Sequence, residues 1–146
     1  MSLSGLTLTG GTHTGNGGGI YTRENLTLSN TTITGNTAQH GGGIFNQAGT
    51  VTIANSLIST NTALDEGGGI FNSGATAQLA IAQSTLSGNT ATNDGGGIYN
   101  SLGTVSISIS TISGNTSSAF GGGIDTKFGT TVITHSTLVN NSSNIG

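Results

Sequence analysis

Three sets of residues in this chain have the types and spacing to do chemistry. His40, Glu66 and Asp94 each stand immediately before a Gly-Gly-Gly triplet, 26 and then 28 residues apart. If the triplets mark equivalent points of a repeat, these three side chains stack on successive turns. A histidine beside two carboxylates could hold a divalent cation or move a proton. Asn16 and Phe120 fill the same position in the flanking units, and residues at such corners are ordinarily solvated. No metal and no cofactor are therefore expected, and His40, Glu66 and Asp94 are the weak metal candidate.

The second set is a row of hydroxyls. Thr7 and Thr9, Thr32 and Thr34, Thr85 and Ser87, and Thr111 and Ser113 each flank one aliphatic residue. On a strand such pairs point to one face roughly 6.6–7 Å apart, and stacked strands repeat every ~4.8 Å. A flat Thr-x-Thr array of this kind resembles the ice-binding face of several β-solenoid antifreeze proteins. Leu57 with Ser59 and Thr137 with Val139 interrupt it, and Thr is in any case a favourable residue on an exposed strand. The third set is aromatic: Tyr21, Phe45, Phe71 and Tyr99 each follow the Ile of a Gly-Gly-Gly-Ile segment, and Asp125 ends the row. Alternation aims them outward, where stacked rings could bind a sugar or a protein partner. The other ionisable groups Glu24, Asp65, His13 and His135 read as isolated and solvent-facing.

All three sets presuppose a repeat, and it is legible. Gly-Gly-Gly-Ile starts at Gly17, Gly41, Gly67, Gly95 and Gly121, giving spacings of 24, 26, 28 and 26 residues. The chain divides into a partial coil 1–16 and repeats 17–40, 41–66, 67–94, 95–120 and 121–146. Within each unit a second segment recurs, as in Ser84-Thr85-Leu86-Ser87-Gly88-Asn89-Thr90 and Ser110-Thr111-Ile112-Ser113-Gly114-Asn115-Thr116. Apolar residues alternate with small polar ones at the period of a strand, and glycine is too dense for helices. Three short strands per unit of about 26 residues predict an all-β, right-handed, single-stranded parallel β-helix of about five and a half coils, 1–146 forming one domain. The hand follows from the right-handedness of parallel crossovers.

Stacking the units yields aliphatic columns that should point inward. They are Ile20, Ile44, Ile70, Ile98 and Ile124; Leu28, Ile53, Ile81, Ile107 and Ile133; and Leu8, Ile33, Ile58, Leu86, Ile112 and Leu138. A fourth, Leu26, Val51, Leu79 and Val105, is broken by Thr131. Asn36, Asn61, Asn89, Asn115 and Asn141 form a polar column that predicts an amide ladder at a turn. Asn46, Asn72 and Asn100 predict a shorter one, replaced by Thr22 and Thr126 at its ends. The glycine triplets fit a corner where stacked backbones approach closely.

Composition narrows the function classes. Two cations, Arg23 and Lys127, against five acids give a net charge of −3, so no clustered basic surface exists for nucleic acid. There is no cysteine, hence no disulfide framework. No apolar run is long enough to span a membrane as a helix, and the first residues do not read as a secretion signal. The repeat pattern continues almost to both termini, which is the expectation for a segment of a longer protein or for units that associate end to end.

Gly-Gly-Gly-Ile-Phe-Asn, at Gly41–Asn46 and Gly67–Asn72, resembles the short repeats of bacterial surface β-helices. It is similar to the Gly-Gly-Ala-Ile and Phe-x-x-Asn repeats of chlamydial polymorphic outer-membrane proteins. It also resembles the Gly/Thr/Asn-rich, adhesin-like β-helix proteins of environmental bacteria. The resemblance covers nearly the whole chain and implies a passenger or stalk at the cell surface or outside the cell, with a surface partner or glycan. β-Helix enzymes that act on polysaccharides carry several Asp, Arg or Lys on one face, and this chain has almost no cations. The expected function is a non-catalytic structural or adhesive segment. Ice binding through the hydroxyl row is the alternative, and a glycan-binding or glycan-processing β-helix is the second.

Overall fold

The computed structural model describes residues 1–145; Gly146, the last residue of the fifth repeat, lies outside them. Every paired strand runs parallel to the strand one repeat away, and the described residues contain no helix. The molecule is a parallel β-solenoid with four sheets as its walls.

The first wall has six strands: Ser2–Ser4, Leu26–Ser29, Thr50–Ala54, Gln78–Ala82, Thr104–Ser108 and Thr130–Thr134. The second, also of six, holds Thr7–Thr9, Thr32–Thr34, Leu57–Ser59, Thr85–Ser87, Thr111–Ser113 and Thr137–Val139. The Ile of each Gly-Gly-Gly-Ile segment opens a strand of a five-stranded wall, Ile20–Thr22, Ile44–Asn46, Ile70–Asn72, Ile98–Asn100 and Ile124–Thr126. These are the three strands expected from alternation. The fourth wall was not expected. It is made of two-residue strands, Thr37–Ala38, Thr62–Ala63, Thr90–Ala91, Thr116–Ser117 and Ser142–Ser143. Two residues are too few to display a period, and the inward residue here is Ala or Ser rather than a large aliphatic.

Register matches the sequence columns. Ile44, Ile70 and Ile98 pair directly, as do Ile53, Ile81 and Ile107, and Ile58, Leu86 and Ile112. All nine are buried in one continuous core together with Leu26, Leu28, Ile33, Val51, Leu79 and Val105. Thr131 pairs with Val105 and so ends the fourth column. Each fully buried aliphatic side chain contributes on the order of 1.5–3 kcal/mol, and the repeat places several in every turn.

The glycine triplets allow the third and fourth walls to meet. A Cβ on Gly68 would lie 2.4 Å from the carbonyl oxygen of Gly96 and 2.5 Å from that of Thr90. Gly42 and Gly96 stand in the same position against the short strands of the next turn. Only hydrogen fits there, which explains why the triplet recurs where other residues vary.

Candidate functional site

Buried polar residues line the turns, and most are consumed by hydrogen bonds between turns. The Asn column is a continuous ladder. Side-chain Nδ2 of Asn36, Asn61, Asn89 and Asn115 donates to Oδ1 of the next Asn at 3.0, 3.0, 2.9 and 2.9 Å in order. The backbone N–H of each of these residues donates to the same oxygen. The second nitrogen proton reaches back to a core-strand carbonyl, as from Asn89 to Ile58 and from Asn115 to Leu86. The shorter ladder also forms, from Asn46 to Asn72 at 2.8 Å and from Asn72 to Asn100 at 3.0 Å. Its first acceptor, Asn46 Oδ1, is buried without a partner, at the step where Thr22 replaces Asn.

A third ladder escaped the sequence reading. Backbone N–H groups of Thr31, Ser56, Ser84 and Ser110 donate to the hydroxyls of Ser56, Ser84, Ser110 and Ser136 at 3.0–3.1 Å. Each of these serine hydroxyls donates in turn to a carbonyl two residues earlier, at 2.7–2.8 Å. The signal was present as a Ser or Thr heading the second conserved segment in all five full repeats, but hydroxyls at a turn look the same whether solvated or buried.

The aromatic row does not form an exposed platform. Phe45, Phe71 and Tyr99 are only 5 %, 7 % and 3 % exposed and make their own cluster, while Tyr21 is 44 % exposed. Their rings stack along the axis with centroids 4.9 Å apart between Phe45 and Phe71 and between Phe71 and Tyr99. Alternation does aim them away from the Ile core, but the glycine corner folds over them. A Cβ on Gly67 would lie 2.9 Å from Phe71 Cβ, and one on Gly95 would lie 2.7 Å from Tyr99 Cβ. Tyr21 alone offers a ring edge, and its hydroxyl is bound to Gln47 and Arg23. A concavity lined by Gly11, Thr12, His13, Asn16 and Tyr21 opens beside it.

The hydroxyl row is in register. Thr7 pairs with Thr32 and Thr9 with Thr34, and Thr85 pairs with Thr111 and Ser87 with Ser113. Leu57 and Ser59 stand between the two halves, with Leu57 on the surface. Thr7 and Thr9 are exposed and the other six are half-buried. Thr34 is engaged by the hydroxyls of Thr60 at 2.7 Å and Ser59 at 3.2 Å.

At the acidic corner the expected trio is regrouped. His40 lies with Asp65 and Glu66, whose ligand atoms are all within 4.8 Å of one another. Its Nδ1 is 3.4 Å from Glu66 Oε2 and 3.9 Å from Asp65 Oδ2. Asp94 is not part of that group; its Oδ1 accepts the backbone N–H of Phe120 at 3.1 Å. Asp65, read from sequence as isolated, is one residue out of the stacked column, and the turn of the chain brings it back to the corner. Burial raises the pKa of Glu66, with Asp65 and Asp94 adding to the rise and His40 opposing it. Burial likewise raises Asp125, with Asp94 as the main neighbouring charge. The phenol of Tyr99 is pushed up to about 12 by burial and by the neighbouring Glu66 carboxylate.

Residues 30–47 and 83–101 match the model of the Chlamydia polymorphic membrane protein repeat. Each match runs through one hydroxyl-ladder residue, one ladder Asn, one short strand, one glycine triplet and the Ile strand that follows. The matched positions are thus those that close one turn onto the next. The chain is a β-helix repeat protein in which two stretches, each running from one repeat into the next, carry this pattern. No curated protein and no solved structure matches it.

Proposed function

We propose that this chain is a structural or adhesive segment of a bacterial surface or secreted protein, without catalysis of its own. The observation that carries this reading is the fate of its polar side chains. The Asn and Ser columns are spent on bonds between turns, and the positions shared with the polymorphic membrane protein repeat are the same turn-closing ones. A surface family built on such repeats supports display outside the cell, where a stiff, charge-poor rod spaces or presents an adhesive face. With Phe45, Phe71 and Tyr99 buried, an exposed aromatic row lends no support to glycan binding. The test is display of the chain between an outer-membrane anchor and an epitope tag on bacteria. The segment should withstand external protease at doses that remove the tag, and displaying cells should adhere to a host-cell or abiotic surface more than anchor-only cells. Rapid cleavage within the repeats, with no gain in adhesion, contradicts the proposal.

Ice binding is the second reading, favoured by the in-register hydroxyl pairs of Thr7/Thr9 with Thr32/Thr34 and of Thr85/Ser87 with Thr111/Ser113. Thermal hysteresis with ice-crystal shaping, abolished by bulky residues at Thr32 and Thr111, would establish it. Absence of both at high protein concentration removes it.

A further inference from the structure

We propose that His40, Asp65 and Glu66 form a binding site for a divalent cation of the zinc class. This goes beyond the structural reading above and does not depend on it. A tetrahedral ion ~2.1 Å from each ligand sets ligand atoms roughly 3.4 Å apart. His40 Nδ1 stands 3.4 Å from Glu66 Oε2 and 3.9 Å from Asp65 Oδ2, and the three ligand atoms all lie within 4.8 Å of one another, so modest side-chain rotations close the set.

His40 Nδ1 is buried and has no hydrogen-bond partner, although two carboxylates face it. A buried imidazole nitrogen without a partner is costly. An ion at the centre of the three groups supplies what that nitrogen lacks.

The supporting residues are also in place. Asn93 Nδ2 donates to Asp65 Oδ1, which leaves Oδ2 facing the histidine. The His40 ring meets Phe71 edge-on, centroids 5.6 Å apart, so the aromatic row walls one side. Outer partners of this kind fix metal ligands in orientation. The three side chains remain 23–29 % exposed, which leaves a path for the ion and room for water as a further ligand. Charge agrees: of the chain's five acids, Asp65 and Asp94 both act on Glu66 here, opposed by the more weakly acting Lys127. An imidazole nitrogen among the ligands favours zinc over calcium or magnesium.

The experiment is calorimetric titration of zinc chloride into the untagged chain at neutral pH, with ¹⁵N spectra of the histidine rings. One ion per chain is expected, with the His40 ring nitrogens shifting and those of His13 and His135 unmoved. His40→Gln and Asp65→Asn should each weaken binding tenfold or more, while His13→Gln leaves it unchanged. The ring spectra of the unaltered chain decide the matter even if a variant fails to fold. No zinc binding, binding that moves only His13 or His135, or calcium binding as tightly as zinc without moving the His40 ring would overturn the proposal.

Discussion

Asn61 and Asn89 are 28 residues apart, yet both the side-chain amide and the backbone N–H of Asn61 donate to the one Oδ1 of Asn89, each at 3.0 Å. Asn89 repeats the arrangement toward Asn115. One residue thus satisfies two donors of the turn before it while its own amide serves the turn after. Asn89→Ala would orphan two buried donors, and a loss of about 3 kcal/mol or more is expected in urea unfolding. Asn141→Ala, at a half-buried end where water can substitute, should cost about 1 kcal/mol. Equal losses at the two positions would count against a ladder that works through burial.

Ile109 holds φ at 48°, a left-handed backbone that a β-branched residue adopts at a cost, and its side chain is 62 % exposed. Asn30 and Asn55 take the same conformation at the equivalent turns of earlier units. Ile109→Asn should therefore stabilise the chain by about 1 kcal/mol, measured as a raised denaturation midpoint. A destabilised variant would show that Ile109 packs against something.

Gly68 and Gly114 separate two uses of glycine. At Gly68 a methyl group meets two backbone oxygens of the next turn at 2.4–2.5 Å, and Gly68→Ala should cost about 3 kcal/mol. At Gly114 the nearest atom is 4.0 Å away and only the positive φ of 61° opposes a side chain. Gly114→Ala should cost about 1 kcal/mol. Thermal melts of the two variants check the order, and a milder effect at Gly68 would contradict the close packing of the third and fourth walls.

Glu66 fixes one limb of the pH dependence. Its pKa is raised by burial and by Asp65, so between its ordinary value of 4.5 and its folded value the folded chain holds a proton that the unfolded chain has lost. Stability contributed by this group is therefore greatest below that window, falls as pH rises through it, and stays lower above. Asp125 acts with the same sign. In the presence of a chelator, Glu66→Gln should reduce the fall in melting temperature between acid and neutral pH. An unchanged profile would mean that the corner relaxes on ionisation.

Much of this fold was legible because each inward column is read twice, once by alternation within a strand and once by recurrence between units. Ile44, Ile70 and Ile98 needed no more than that. The strand Thr62–Ala63 was hidden because two residues carry no period. The Ser56, Ser84 and Ser110 ladder was hidden because composition does not reveal which hydroxyls are buried. At the candidate site, His40 and Glu66 were found by stacking, but Asp65 lies one residue off the column and only the turn brings it in. The aromatic row was located correctly and its exposure was not. Strand alternation says which side of a sheet a ring occupies, and nothing about a glycine corner folding over that side.

The central asparagines bond turn to turn inside the protein. Hydrogen exchange of their side-chain amides, followed by NMR, measures this directly. The Nδ2 protons of Asn61, Asn89 and Asn115 should exchange orders of magnitude more slowly than those of exposed Asn30 and Asn55. Exchange of all five at the rate of free amides would contradict it.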